Sequence, residues 1–243
     1  SWSSLTLNGD ATDARIVDDL VLSGTQAINI NNGATLRSGI SAATPDDATI
    51  HNYNVATLGA TSLLSFDGAT DQIYNGIISG NGGMERINAG KTTLLGNSTY
   101  TGNTYIGSGA ELALGNGGTV GSVSETTNIT DDGILTIDRS DNIALNGVIS
   151  GSGAFHQDGL GITRLGGANA WKGVTEVNQG TLLVNGNQSQ ATGLTTVHSN
   201  TTLGGNGTIG GDVAFEGNTT LTPGDGGVGK LTINGDLTLA STT

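Results

Sequence analysis

Short segments in which hydrophobic and polar residues alternate recur along the whole chain. Leu, Ile or Val stands at every second position of these segments, as in SLTLNG at residues 4–9, TSLLSFDG at 61–68, ELALGN at 111–116 and KLTINGD at 230–236. A period of two residues is that of a β-strand with one buried face. Most segments end at Gly, Asn-Gly or Asp-Gly, where a positive φ angle costs little. The pattern therefore predicts many short strands joined by tight turns, and no long helix.

Two long parts of the chain repeat each other. Residues 75–116 align without a gap to residues 146–187, so that glycine matches glycine and bulky side chains match bulky ones, as in Met84/Phe155, Leu94/Leu165, Tyr100/Trp171, Ile106/Val177 and Leu112/Leu183. Such agreement indicates a shared backbone conformation. Within each copy the apolar positions return after about 20–24 residues, a spacing typical of solenoids in which each coil stacks on the preceding one. The repeat predicts an all-β, single-stranded solenoid.

No sharp domain boundary divides the chain. Residues 1–74 are less regular and are expected to form N-terminal coils of the same stack, while residues 75–243 contain both repeat copies and a C-terminal segment. The least patterned stretches are residues 38–49 and 117–133. We interpret both stretches as loops that protrude from the stack.

The alternation also assigns an inside and an outside to each strand. Apolar side chains are expected to stack on like side chains in the next coil, while Thr, Asn, Ser and Asp face water. Leu94 and Leu165 are assigned to the interior, where replacement by Asp should strongly destabilise the fold. Thr92 and Thr163 are assigned to the outside, where the same replacement should be far milder.

Composition excludes several functional classes. The 243 residues include 42 glycines, two prolines and no cysteine, and the formal net charge is −13. Without cysteine the chain can have neither a disulfide framework nor a thiolate metal site. Eight dispersed Lys and Arg residues cannot form the basic surface that nucleic acids require. No run approaches the ~18 apolar residues of a membrane-spanning helix.

Candidate catalytic residues are few. The histidines are His51, His156 and His198, and no G-x-S-x-G string offers a serine nucleophile. His156 aligns with Glu85 of the first repeat copy, which indicates an outward position open to different polar residues. Adjacent aspartates occur at residues 18–19, 46–47 and 131–132, but neighbours on a strand point to opposite faces. A glycosidase needs two acids ~5–10 Å apart, and acids from neighbouring coils stay open as a source of such a pair.

Metal and aromatic candidates are equally sparse. The calcium-binding pattern G-G-x-G-x-D begins at Gly204, but Ile209 stands where Asp is required, and Asp225 has the ligand chemistry without the repeat. No catalytic, cofactor-binding or metal-binding residue is therefore predicted, and the ligand-binding residues are unknown.

The aromatic residues divide into two groups. Tyr100 and Trp171 occupy matched repeat positions and are expected to pack over a corner of the coil. Trp2 and Tyr53 have no repeat partner. They lie in the less regular first third, where a ligand surface is more plausible, although a single exposed aromatic residue needs no function.

The repeat copies and the C-terminal segment resemble a known family. Both copies contain SG-x-G, T-x-L-x-G and Y/W-x-G-x-T blocks, followed by G-x-L in the second copy and by G-x-x-L in the first, and in residues 197–241 a G-x-G-x-I-x-G-D run leads to L-x-P-G and then to G-x-L-x-I-x-G-D-L-x-L. These blocks are similar to the passenger-associated transport repeats of bacterial autotransporters, the type V secretion system. The resemblance extends from residue 75 to the C-terminus. It implies a right-handed parallel β-helix, without a cofactor, that is a fragment of a passenger domain.

The resemblance also implies a location and a role. We expect a non-enzymatic adhesin at the bacterial cell surface or outer membrane, exported through the periplasm, with release from the cell as a further outcome. The expected partners are a host surface or matrix protein, a glycan, or a copy on another bacterium, for attachment, aggregation or biofilm formation. Nucleic acid is not expected, and membrane contact is expected only through a separate C-terminal translocator barrel outside this chain. Two alternatives are a ligand-free stalk that presents another passenger domain and a β-helix enzyme that cleaves polysaccharides.

Overall fold

The computed structural model describes residues 59–240 in full, together with the backbone of five strands that precede them. The strands are β1 (Leu5–Asn8), β2 (Asp13–Ile16), β3 (Ile28–Asn31), β4 (Thr35–Ser38), β5 (Val55–Leu58), β6 (Leu63–Phe66), β7 (Gln72–Tyr74), β8 (Ile78–Gly80), β9 (Gly83–Arg86), β10 (Gly90–Leu94), β11 (Thr104–Ile106), β12 (Ala110–Leu114), β13 (Ile129–Asp131), β14 (Ile134–Ile137), β15 (Ile143–Leu145), β16 (Ile149–Ser150), β17 (Ala154–Gln157), β18 (Ile162–Leu165), β19 (Thr175–Val177), β20 (Thr181–Val184), β21 (Asn187–Gln188), β22 (Thr195–Val197), β23 (Thr202–Gly205), β24 (Thr208–Ile209), β25 (Val213–Phe215), β26 (Thr220–Pro223), β27 (Thr232–Ile233) and β28 (Leu237–Leu239). The described residues contain no helix, and so none that could cross a membrane.

These strands form the three faces of a solenoid. The first face consists of β1, β3, β5 and β8 and, further along, β15, β18, β20, β23 and β26. The second face consists of β2, β4, β6, β9, β11, β13 and β16 and, further along, β21, β24 and β27. The third face consists of β7, β10, β12, β14, β17, β19, β22, β25 and β28. Every strand pairing is parallel, and the chain visits the faces in a fixed order. The predicted parallel β-helix is confirmed, with about nine turns, whereas its right-handed sense stays a prediction.

The turns vary in length between 18 and 28 residues. The commonest length is 20 residues, as from Met84 to Thr104 on the second face, in line with the predicted spacing. Nine stacked strands of the third face, spaced ~4.8 Å apart, span roughly 40 Å along the axis. The predicted division at residue 74 stays a prediction.

The core is a set of apolar columns that run along this axis. On the third face, Leu112, Leu135 and Phe155 occupy successive turns and are fully buried. Threonine continues the same column at Thr175 and Thr195, both of which are also buried. Each inward side chain therefore packs mainly on its counterparts above and below, as expected for a solenoid.

Glycine is abundant because two corners of the coil leave no room for a Cβ atom. At the corner before the second face, a Cβ on Gly167, Gly186 or Gly207 would lie 2.1 Å from the carbonyl oxygen of the glycine one turn below. A second glycine column, which includes Gly173 and Gly193, lines the corner before the third face. At a third corner, Asn200 and Asn218 adopt positive φ angles of 67° and 62°, a conformation that Asn tolerates better than most residues.

The two repeat copies have the same local contacts but lie on different faces. Met84 accompanies β9 of the second face, whereas its counterpart Phe155 lies in β17 of the third face. The amide of Ile78 donates to Ser98 Oγ, and the amide of Ile149, its counterpart, donates to Asn169 Oδ1. Each residue of the second copy therefore lies three turns and one face further along the solenoid than its counterpart in the first copy.

The repeat alignment shifts by one residue near its end. Thr92 pairs with Leu112, but Thr163 pairs with Leu182 rather than Leu183. Leu112 thus corresponds to Leu182, and the predicted match with Leu183 is wrong. The second copy is one residue shorter between β18 and β20.

Two further expectations need correction. Thr92 and Thr163 are buried, because residues two apart on a strand share a face and Leu94 and Leu165 point inward. The stretch 117–133 is not simply a protruding loop, since it includes β13. The turn from Thr104 to Ile129 takes 25 residues, and the surplus lies mainly at residues 116–120, most of which are exposed. The other expected loop, 38–49, lies outside the described residues except for Ser38 at the end of β4.

Candidate interaction surface

Four aliphatic side chains form an outward column on the third face. Ile134, Ala154, Val174 and Leu194 occupy equivalent positions in four successive turns, as the pairing of Ile134 with Ala154 and the hydrogen bonds from Phe155 N to Val174 O and from Thr175 N to Leu194 O establish. Val174 and Leu194 are 40% and 43% exposed. We call these four residues the aliphatic stripe. Ile134 and Ala154 are half-buried, so the stripe is a partly exposed apolar column whose most exposed members are Val174 and Leu194.

Charged residues mark both ends of the aliphatic stripe. In the turn below Ile134 lies Glu111, which forms an ion pair of 2.9 Å with Lys91 one turn further down. In the turn above Leu194 lies Asp212, which accepts a 2.8 Å hydrogen bond from the amide of Asp236. The stripe is therefore four turns long, about 14 Å between its first and last residues at ~4.8 Å per turn.

A shallow cleft opens beside the lower end of the aliphatic stripe. It has a volume of about 310 Å³, and its wall includes Ile134 together with Asp71, Lys91, Glu111 and Asp132. Hydrogen bonds from the amide and hydroxyl of Ser152, both 2.9 Å, hold the pKa of Asp132 below its ordinary value. The cleft, which we call the acidic cleft, thus holds three acids and one lysine.

A polar column flanks the aliphatic stripe two residues further along each strand. It consists of Thr136, His156, Glu176 and Thr196. His198 Nε2 lies 2.7 Å from Glu176 Oε2, and His198 Nδ1 lies 3.0 Å from Glu216 Oε1. Burial lowers the pKa of His198, but the hydrogen bonds and charges of the two glutamates outweigh it and raise that pKa. His198 thus links three turns.

A loop that follows β26 folds back over the first face. Residues 224–229, which we call the strap, fold back so that Gly224 pairs antiparallel with Gly205. Asp225 accepts two hydrogen bonds from Arg164, of 2.9 and 3.0 Å, and a third from Asn185 Nδ2 of 2.9 Å. These bonds hold the pKa of Asp225 below its ordinary value, the contact to Arg164 most strongly. The strap and Leu183, an outward residue that is only 5% exposed, line the same cavity on the first face.

The catalytic candidates do not converge. His156 lies half-buried on the outside of β17, in the middle of the polar column, and Asp131 and Asp132 point to opposite sides, with Asp131 only 1% exposed. His51 and the aspartates at 18–19 and 46–47 lie outside the described residues. Over the range 59–240, no three His, Cys, Asp or Glu side chains are arranged to hold a metal ion.

The calcium and aromatic candidates are part of the scaffold. Ile209 is buried in β24, and Asp225 belongs to the strap. Tyr100 and Trp171 are buried in the core, where the Tyr100 hydroxyl bonds to Thr104 Oγ1 and Trp171 Nε1 donates to Thr175 Oγ1. Trp2 and Tyr53 lie outside the described residues.

Sequence reasoning missed the aliphatic stripe, the His198 bridge and the strap. The spacing of the stripe is visible in the sequence, since its residues from Ile134 onward recur every 20 residues. Alternation over strands of only three or four residues, however, does not show whether an apolar residue points inward or outward. The strap depends on contacts over 61 residues, which no local pattern encodes.

Comparison with known proteins gives one local match. Eighty residues are 46% identical to part of the protein named "Adhesin BmaC autotransporter" of Brucella suis biovar 1 (strain 1330). The matched segment is 33% of this chain and 2% of that adhesin. No family model and no solved structure matches the chain. The parallel β-helix and the local match together confirm the resemblance of this chain to the passenger domains of bacterial autotransporter adhesins.

Proposed function

We propose that this chain is part of the passenger of a surface-displayed adhesin and that the aliphatic stripe is its contact surface. The role is attachment of the bacterium to another surface, without catalysis. The observation that carries the proposal is the exposure of Val174 and Leu194 in a column of four aliphatic residues, on a face whose inward positions already form a complete core. Contiguous exposed apolar side chains are typical of protein interaction sites.

Binding through this stripe is weak for a single molecule. Every strand of the third face between β7 and β28 is paired on both sides, so a partner cannot add a strand there and must bind through side chains. Covering a partly exposed Val or Leu contributes about 1 kcal/mol each. Useful affinity then comes from many copies that act together at one cell surface. Export to the bacterial surface, which the resemblance to the Brucella adhesin supports, is the setting in which such multivalency arises.

An attachment assay tests the proposal. Beads coated densely with the 243-residue chain should adhere to cultured animal cells or to a matrix coating, while the soluble chain should compete only at high concentration. The double variant Val174→Asn and Leu194→Asn should reduce bead retention at least fivefold. Leu160→Asn is the matched control, because Leu160 is 73% exposed but lies outside the stripe.

Two outcomes would contradict this function. If coated beads adhere to none of the surfaces, the chain is a stalk that presents another passenger domain. If incubation with a panel of polysaccharides yields new reducing ends or unsaturated products, the chain is an enzyme. Equal retention of the Val174→Asn/Leu194→Asn variant and the unsubstituted chain would separate adhesion from the aliphatic stripe.

A further inference from the structure

We infer that the partner of the aliphatic stripe is an extended protein segment with apolar residues at alternate positions and lysine or arginine at one end. This inference rests on the proposed function and names the chemistry of the partner. The aliphatic stripe would cover the apolar side chains of the segment, and the acidic cleft would hold its cationic end.

The dimensions of the aliphatic stripe favour an extended segment. Residues on one side of an extended strand repeat every ~6.8 Å, so the first and fifth residues are ~14 Å apart. The stripe from Ile134 to Leu194 has the same length, since three steps of ~4.8 Å separate its ends. Three alternate side chains of one segment, laid along the solenoid axis, can therefore cover the whole stripe.

The charges around the stripe select the sign of the partner. Asp71, Glu111 and Asp132 line the acidic cleft at the lower end together with Lys91. Because Lys91 and Glu111 form an ion pair, the excess negative charge of the cleft is that of Asp71 and Asp132. Glu176 lies beside the middle of the stripe, and Asp212 lies at its upper end. A cationic group next to Ile134 is thus attracted by these carboxylates, of which Asp132 accepts hydrogen bonds from Ser152 that lower its pKa.

The same observations disfavour the other partners. A second copy of this chain would bring another molecule of net charge −13 against the same acidic flanks. A glycan would need an aromatic platform, and the stripe offers only aliphatic side chains. The aliphatic stripe matches the apolar side of an extended protein segment instead.

A peptide titration tests the inference with the full chain. The probe is a short peptide that alternates Val and Thr and ends in two lysines. One control peptide ends in two glutamates, and the other has Ser in place of each Val. We expect the lysine peptide to bind at least fivefold more tightly than the glutamate peptide at low salt, and this preference to shrink as salt screens the charges. The Ser peptide should not bind measurably.

Variants of the chain locate the two parts of the site. Val174→Asn with Leu194→Asn should weaken binding of the lysine peptide at least tenfold, and Leu160→Asn should leave it unchanged. Asp71→Asn with Asp132→Asn keeps the hydrogen-bond acceptors and should abolish the preference for lysine over glutamate. The control pair Asp138→Asn with Asp158→Asn removes the same amount of charge outside the acidic cleft and should preserve the preference for lysine over glutamate. Circular dichroism of each variant checks the fold.

Several results would overturn the inference. These are equal binding of the lysine and glutamate peptides, unchanged affinity of the Val174→Asn/Leu194→Asn variant, or an equal loss in Leu160→Asn. Self-association in sedimentation that the Val174→Asn/Leu194→Asn variant loses would assign the surface to a second copy of the chain. Binding to a glycan panel that the same variant loses would assign it to a glycan. If the stripe variants lose bead retention but the peptide preference is absent, the proposed function stands and only the partner is wrong.

Discussion

Asp131 is a buried carboxyl group, and its protonation links the stability of the fold to pH. It lies at the end of β13 against Ile106, its Oδ1 accepts a 3.0 Å hydrogen bond from Gly133 N, and its Oδ2 has no hydrogen-bond partner. Burial, with a smaller contribution from the charge of Asp132, raises the pKa of Asp131 to about 7. The folded chain therefore binds a proton that the unfolded chain loses near pH 4.

The free energy of unfolding should fall as the pH rises from about 4 to about 7. The loss attributable to Asp131 is about 4 kcal/mol, fully developed above pH 7. Asp131→Asn should raise the unfolding free energy at pH 8 and leave it nearly unchanged at pH 4. Urea denaturation of both proteins at pH 4, 6 and 8 measures this difference.

Asp132→Asn is the neighbouring control with the opposite sign. Because the pKa of Asp132 is lowered, its contribution is present above the ordinary Asp value and is lost as the pH falls through the folded pKa. Asp132→Asn should therefore destabilise the fold at pH 8 and not at low pH. Parallel behaviour of the two variants would contradict the assignment of Asp131 to the interior.

Gly186 tests the close approach of successive turns at the corners. A Cβ atom there would lie 2.1 Å from the carbonyl oxygen of Gly167, whereas a Cβ on Gly217 meets no atom within 4 Å. Gly186→Ala should cost about 2–4 kcal/mol of unfolding free energy, because the stacked backbones must separate. Gly217→Ala should change it by less than about 1 kcal/mol. Equal melting temperatures would show that the corner can relax.

At the scale of the strand, alternation decides which substitutions the stack accepts. Leu165 in β18 is fully buried between Leu145 below and Val184 above. Ala214 in β25 points outward between Thr196 and Thr238. One strand position is thus closed by its neighbours in the adjacent turns, and the other is open to water.

Leu165→Asp should therefore prevent folding or destabilise the chain by more than about 4 kcal/mol, because it places an unpaired charge in the core. Ala214→Asp should change stability by less than about 1 kcal/mol. Thermal unfolding followed by circular dichroism compares the two. Near-native melting of Leu165→Asp would mean that the inside and outside of β18 are reversed.

The strands themselves were predictable, and their assignment to faces was not. The alternation around Leu94 and Leu165 correctly marked these residues as buried, because period two is a local property. The same period puts Thr92 and Thr163 inward, whereas their polarity favours an outward position, and the prediction that rests on polarity is wrong. The two buried threonines are accommodated differently: the Thr163 hydroxyl donates to Gln157 Oε1 inside the stack, whereas the Thr92 hydroxyl is buried without a hydrogen-bond partner. The aliphatic stripe depends on the register between turns, which a single strand does not encode.

At the scale of the whole molecule, most contacts join adjacent turns and the strap is an exception. Through Arg164 and Asn185, Asp225 connects β26 to turns whose residues lie 61 and 40 positions earlier. In a stack stabilised by nearest neighbours, such a contact couples the opening of turns that would otherwise open separately.

Asp225→Asn should weaken this coupling. The bidentate contact is partly buried, so we expect a loss of about 1–2 kcal/mol in the C-terminal turns. Hydrogen exchange should quicken at the amides of Gly205 and Gly224 and stay unchanged in β10 and β12. A double-mutant cycle with Arg164→Gln isolates the pair. Uniform acceleration along the chain would show that the solenoid opens as a single unit and that the strap has no local effect.

The rotation of the second repeat copy by one face bears on how such a chain can grow. Because all three sides accept the same buried pattern, a duplicated gene segment can lengthen the column even when it does not encode a whole number of windings. The outer residues of the duplicate then face about a third of a circuit away from those of the original. Duplication alone thus presents an inherited sequence in a new direction while the interior is preserved.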